Sequence, residues 1–287
     1  MHHKVIACID DSRYAEAVCD YAAWSAAHMQ APLSLLHVLD QLPEASRNLS
    51  GSIGLGEQES LLEELASLDE KRARVALEQG KVMLQAARAR IATATLPERL
   101  PELETRQRHG GLLDALNDLA DETRMLVVGK RGADTASAHG HIGSHLERII
   151  RALQRPILIA QQSFTPPQQI MLAFDGSAST LKGVQMIADS PLFAGIPCHL
   201  VSVGPDTEEA RAALTRARTI LTDAGFNAPT ALIPGEPETA LVEYQEQNAI
   251  DLVVMGAYGH SRIRHFIVGS TTTAVLCKTR VSLMILR

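Results

Sequence analysis

The chain has 287 residues, an apolar content sufficient for two cores, and a formal net charge of −6 with both signs spread along it. That balance argues against nucleic acid or an anionic membrane surface as a partner held by bulk attraction, and an aromatic content of 3% leaves too few rings for base-stacking platforms. There is no apolar run of about 18 residues to span a bilayer, no secretory signal ahead of the first strand-like run, and no CxxC pairing among Cys8, Cys19, Cys198 and Cys277. A cytoplasmic protein with reduced thiols is expected.

In chain order, the first strand is expected at 4–9, in VIACIDDS, with Asp10 at its end and a serine opening a helix. A second strand follows at 33–39. The stretch QLPEASRNLSGSIGLGEQ then reads as a loop. Residues 59–92 have the periodicity and composition of a long helix, with Leu61, Leu62, Leu65 and Leu68 apolar. Its run LDEKRARVALEQGK reads as a solvated face of alternating charge. GSIGLG, residues 51–56, has the glycine content of a nucleotide loop, but no strand feeds it directly. It is either a ligand lid or a plain surface loop or partner contact. Strands are expected next at 102–107, 125–129 and 156–160. QQSFTPPQQ, with Pro166 and Pro167 adjacent, reads as a stiff linker.

Beyond the linker the pattern starts again, with strands expected at 169–174, 198–203, 229–233, 251–255 and 282–286. MLAFDGS matches VIACIDDS, and Asp175 precedes Val203 by the same 28 residues that separate Asp10 from Val38. Seventeen residues separate Gly143 from Ala160, and seventeen separate Gly269 from Leu286. Several spacings shared at once mark a tandem repeat. The domains are expected at 1–162, with a helical insertion at about 41–95, and at 168–287. Near-continuous β-branched runs alternating with helical patterns indicate an α/β fold, each domain holding a five-stranded parallel sheet covered on both faces. Ser177 and Ser179 offer caps to a helix, and Pro237 after Gly235 and Glu236 suits the first turn of another.

The stretch GAYGHSRIRHFIVGST, residues 256–271, leaves the carboxyl end of an expected strand and ends at a helix start. Ligands of doubly wound sheets bind there, where free N–H groups and the helix dipole suit an anion. Gly256, Gly259 and Gly269 let the backbone approach a phosphate. Ser270 and Thr271 can cap the helix, hold a phosphate oxygen or touch a bound metal ion. Asp175 faces the same crevice if its strand adjoins the fourth of the repeat. A carboxylate there suits a metal ion or ligand hydroxyls.

These residues resemble the universal stress protein family, here as a tandem two-domain member, over nearly the whole chain. The pattern G-x2-G-x9-G-[S/T] is met without gaps by Gly256, Gly259, Gly269 and Ser270. The resemblance implies Rossmann-like αβα domains of the adenine nucleotide alpha hydrolase type that bind ATP, AMP or a related adenine nucleotide. It also implies dimers, as a homodimer or an internal pseudo-dimer. By position, Asp175 would lie at the nucleotide and its Mg ion. The Val203 backbone would meet the adenine edge, while Gly256, Gly259, His260, Gly269, Ser270 and Thr271 would wrap the ribose and phosphates. The first repeat departs from the pattern, with ten residues between Gly132 and Gly143-Ser144. Asp10, Val38, Gly129, Gly132, Gly143 and Ser144 form a second candidate site there, to which Lys130 and Arg131 add positive charge.

His139, His141 and His145 are spaced for zinc, but no cysteine or carboxylate completes four ligands, and phosphate-side or solvated imidazoles fit as well. His265, Arg262 and Arg264 flank the second loop. No Walker lysine, GxSxG elbow or kinase signature set is present. The expected role is therefore regulatory binding in a stress response. The competing readings are a slow metal-dependent ATPase or phosphotransferase, and a nucleotide-free scaffold whose long helix binds a protein partner.

Overall fold

The computed structural model describes residues 3–39, 55–96, 98–132, 144–257 and 269–287, with the side chains of 55–63 and 144–145 excepted. The first repeat runs β1 (Lys4–Cys8), α1 (Ala15–His28), β2 (Leu33–Leu39), α2 (Leu55–Thr93), β3 (Leu103–His109), α3 (Leu112–Asp118), β4 (Thr123–Gly129), α4 (Ser144–Ala152) and β5 (Ile157–Ala160). The second runs β6 (Ile170–Ala173), α5 (Ala178–Ala188), β7 (Cys198–Val203), α6 (Glu208–Asp223), β8 (Thr230–Ile233), α7 (Pro237–Gln247), β9 (Leu252–Gly256), α8 (Ser270–Lys278) and β10 (Ser282–Leu286). A 3-10 turn at Pro191–Phe193 follows α5.

All ten strands form one sheet in the order β3-β2-β1-β4-β5-β10-β9-β6-β7-β8. Each repeat contributes five parallel strands, and the halves meet through the antiparallel pair β5–β10. Alternate strand residues supply two cores. Val5, Ala7, Leu252 and Val254 pack with α1, α2, α5 and α6 on one face. Ile6, Val253 and Met255 pack with α3, α4, α7 and α8 on the other. Burial on both faces explains why these strands read as continuous apolar runs.

The seam has local two-fold character. Leu158 pairs with Met284, and each lies fifteen residues beyond its own Gly143 or Gly269. The same position of the two repeats therefore meets itself, as in an isologous interface. Helix ends cross the seam as well. The Lys130 ammonium donates to the carbonyls of Thr279 (3.1 Å) and Cys277 (3.4 Å), at the end of α8. Arg287 donates to the carbonyls of Arg151 (2.8 Å) and Leu153 (3.1 Å), the equivalent positions at the end of α4. Gln161, the counterpart of Arg287, donates to the carbonyls of Thr279 and Val281.

The slot between second and third strands holds a 16-residue helix, α6, in the second repeat and the 39-residue α2 in the first. The end of α2 lies close to the sheet because Gly80 has no side chain. A Cβ there would stand 2.6 Å from the His37 ring and 2.1 Å from Gln107 Nε2. Arg90 fastens the same end to α1 through both Asp20 oxygens (2.8 Å each) and Glu16 (2.9 Å). The structure opens α2 at Leu55, earlier than the expected start at 59, so only 51–54 of GSIGLG lie outside the described residues. Among the described residues no helix is long and apolar enough to cross a membrane. No disulfide joins the four cysteines, and burial pushes the thiols of Cys19 and Cys198 up to about 12.

Candidate functional site

In the second repeat the strand order turns around between β6 and β9, which pair in parallel. Chain segments leave these two strands for opposite faces and open a crevice beyond their carboxyl ends. A cavity of about 310 Å³ lies there, bounded in part by Asp175, Val203, Gly256 and Thr271. Four residues of the sequence pattern, far apart in the chain, thus share one space.

Asp175 lies two residues past the end of β6, where Gly176, at φ 75°, swings the chain from strand to helix. That φ is readily reached only by glycine. Asp175 Oδ1 accepts the Ser177 N–H at 2.9 Å and the Thr180 hydroxyl at 2.7 Å. Ser177 caps α5, accepting the Thr180 N–H at 3.2 Å. The carboxylate is therefore held in one orientation at the cavity edge. Val203 ends β7. Gly256 ends β9, and its carbonyl accepts the hydroxyl of Thr272 at 3.1 Å. Gly269 is the N-cap of α8 and donates its N–H to the Ala257 carbonyl at 3.2 Å. Ser270 and Thr271 form the first turn of α8, whose early N–H groups face away from any helical acceptor. Among the described residues no side chain caps this end, which keeps it suited to an anion. Gly259 and His260 lie outside the described residues, as do Arg262, Arg264 and His265.

Sequence reasoning missed Phe174, Thr180, Pro237, Leu241, Met255 and Thr272 on the wall. Thr180 had a visible signal, a hydroxyl five residues after Asp175 in the first helical turn. Pro237 and Leu241 had none, since α7 reaches the crevice through its packing against α8 and β7.

In the first repeat Asp10 Oδ1 accepts from the Ser12 hydroxyl (2.6 Å) and N–H (3.1 Å). A Cβ on Gly132 would lie 3.3 Å from Asp10 Oδ2, so the backbone passes close to this carboxylate. A Cβ on Gly129 would lie 2.7 Å from that of Tyr14, which is buried against it. The second repeat has Ser179 at the place of Tyr14. Val38 is half-buried near the end of β2, and Ser144 opens α4. Lys130 extends to the carbonyls after α8 instead of toward Asp10, while Arg131 is half-buried beside it. Gly143, His139 and His141 are outside the described residues, as is the side chain of His145. Among the described residues no group of three His, Cys, Asp or Glu side chains could hold a metal ion.

The sequence profile of the universal stress protein family matches residues 1–161 and 203–287. The universal stress protein Slr1230 of Synechocystis sp. is 39% identical over 289 aligned residues, covering 99% of each chain. The chain belongs to the universal stress protein family. Solved structures agree at the level of fold. A universal stress protein from Archaeoglobus fulgidus DSM 4304 superposes with a TM-score of 0.68 at 15% identity, covering 99% of this chain and 96% of that one. A putative universal stress protein from Pseudomonas aeruginosa UCBPP-PA14 gives 0.63 at 15% identity, covering 99% and 93%. Within the family, then, this chain carries two repeats joined by a seam that its own residues cap.

Proposed function

We propose that this universal stress protein binds an adenine nucleotide, ATP or AMP, chiefly in the crevice of the second repeat. The observation carrying the reading is the cavity at the β6/β9 reversal, bounded by Asp175, Val203 and Gly256 and by Thr271 of α8. Its volume, about 310 Å³, is near the lower end for small-molecule sites. In this reading the Val203 backbone meets the adenine edge and Asp175 accepts from ribose hydroxyls. Gly256, Gly269, Ser270 and Thr271 receive the phosphates, with Gly259 and His260 completing the loop. A single carboxylate holds Mg only together with phosphate oxygens. Asp175 therefore contributes one ligand to a nucleotide-borne ion and forms no metal site alone.

The preference for the second repeat is supported by Tyr14, buried against Gly129 where the second repeat has a serine, and by the turning of Lys130 into the seam. Asp10, Val38, Gly129, Gly132, Gly143 and Ser144 then form a weaker site. The domains run 1–162 and 168–287. Nucleotide occupancy alters the surface around the 256–271 loop and serves a cytoplasmic, regulatory stress response. Such a switch requires unequal nucleotide affinity for two loop states.

Freshly purified protein, gently denatured and assayed by mass spectrometry, tests the ligand class. Released ATP or AMP is expected. Protein that is empty as purified and stays empty in millimolar ATP overturns the reading.

A further inference from the structure

The leading part of α2 lies apart from the described body of the chain. Residues 64–75 are all exposed, and the buried contacts begin only toward Gly80, continuing through Leu84, Ala87 and Ile91. Helices in water depend on packing an apolar face for most of their stability. Such a face is present. Leu65, Leu68, Val75 and Val82 are 38%, 45%, 57% and 63% exposed. With Arg72 and Gln79 they follow alternating steps of three and four, the seam of a heptad repeat. Two shallow grooves of about 670 and 290 Å³ flank Val75 and Gln79 on this surface.

The charges say what fits there. Among the residues with described side chains, 64–70 carry three acidic and no basic groups, whereas 71–81 carry four basic and one acidic, Glu78. A parallel copy would set acid against acid and base against base. An antiparallel copy sets the acidic half of each helix against the basic half of the other, which fixes orientation as well as partner. The polar Arg72 and Gln79 within the stripe further restrict register. The seam strands β5 and β10 are already paired with each other, so a second chain has no access to that edge.

We propose that the exposed stripe of α2 is the docking surface for a second copy of this chain, lying antiparallel with its two-fold axis near Glu70 and Lys71. The ion pairs now formed along one helix, Arg74–Glu70 at 3.0 Å and Arg72–Asp69 at 3.8 Å, can exchange for pairs between helices.

Light scattering on the full-length protein during gel filtration at micromolar concentration should give twice the 31.0 kDa chain mass. Leu68→Glu with Val75→Glu should give one chain mass, with the cooperative melting of the two-repeat body retained and any loss of helical circular dichroism confined to the leading turns of α2. Asp69→Lys with Glu70→Lys should weaken self-association by about tenfold or more, and adding Arg72→Glu and Arg74→Glu should restore it. A monomeric wild type, a dimer indifferent to Leu68→Glu with Val75→Glu, or a full charge exchange that fails to restore pairing overturns the proposal.

Discussion

His199 on β7 joins three parts of the second repeat. Its Nε2 is 3.2 Å from Gln169 Oε1 and its Nδ1 is 2.9 Å from the Tyr244 hydroxyl. An amide oxygen only accepts, so Nε2 carries the proton and Nδ1 accepts from the tyrosine. Burial lowers its pKa below the ordinary histidine value. The unfolded chain therefore binds more protons between the folded and unfolded pKa values, and stability rises with pH there. This contribution is complete above the unfolded value and is lost as pH falls through that window. His199→Gln should give a shallower loss of melting temperature on acidification from neutral pH than wild type; an identical loss would show that His199 does not contribute. Gly80 makes a second residue-scale prediction, because a Cβ would press on His37 and Gln107. Gly80→Val should cost about 1–3 kcal/mol in chemical denaturation, although replacing a helical glycine ordinarily helps. At this scale Asp175 and Gly256 were legible because strand-end chemistry is local to the sequence. Tyr14 against Gly129, and Leu241 on the cavity wall, were not, since each is created by two elements packing.

Elements reproduce their sequence signals where the signal is local. Ser177 caps α5, and Pro237 begins α7, as the sequence patterns require. The strand runs were visible as continuous apolar segments because both faces are buried. What periodicity could not show is which strands become neighbours across the repeats. β5 and β10 are short apolar runs like the others, and nothing local to either marks it for antiparallel pairing with its counterpart. The seam makes its own prediction. Lys130→Met removes a cation from the carbonyls that terminate α8 and should cost about 1–2 kcal/mol. Lys130→Arg should recover part of this. Hydrogen exchange around 276–281 should accelerate in the methionine variant, while unchanged exchange there would show that the contact does not stabilise the helix end.

The whole molecule is an internal pseudo-symmetric pair in which the seam consumes one edge of each parallel sheet. The repeated spacings made two copies of one unit legible, yet spacing alone says nothing about how two copies meet. The repeats differ in structure. One extends the helix after its second strand into α2, and the other keeps a short helix in that slot and a cavity at its strand reversal. That division predicts unequal nucleotide binding by two similar domains. Calorimetric titration of ATP into the wild type, Asp175→Ala and Asp10→Ala is the most direct test. Asp175→Ala is expected to remove the tightest binding step, while Asp10→Ala leaves its affinity and stoichiometry intact. The converse pattern, or binding indifferent to Asp175→Ala, would contradict this expectation.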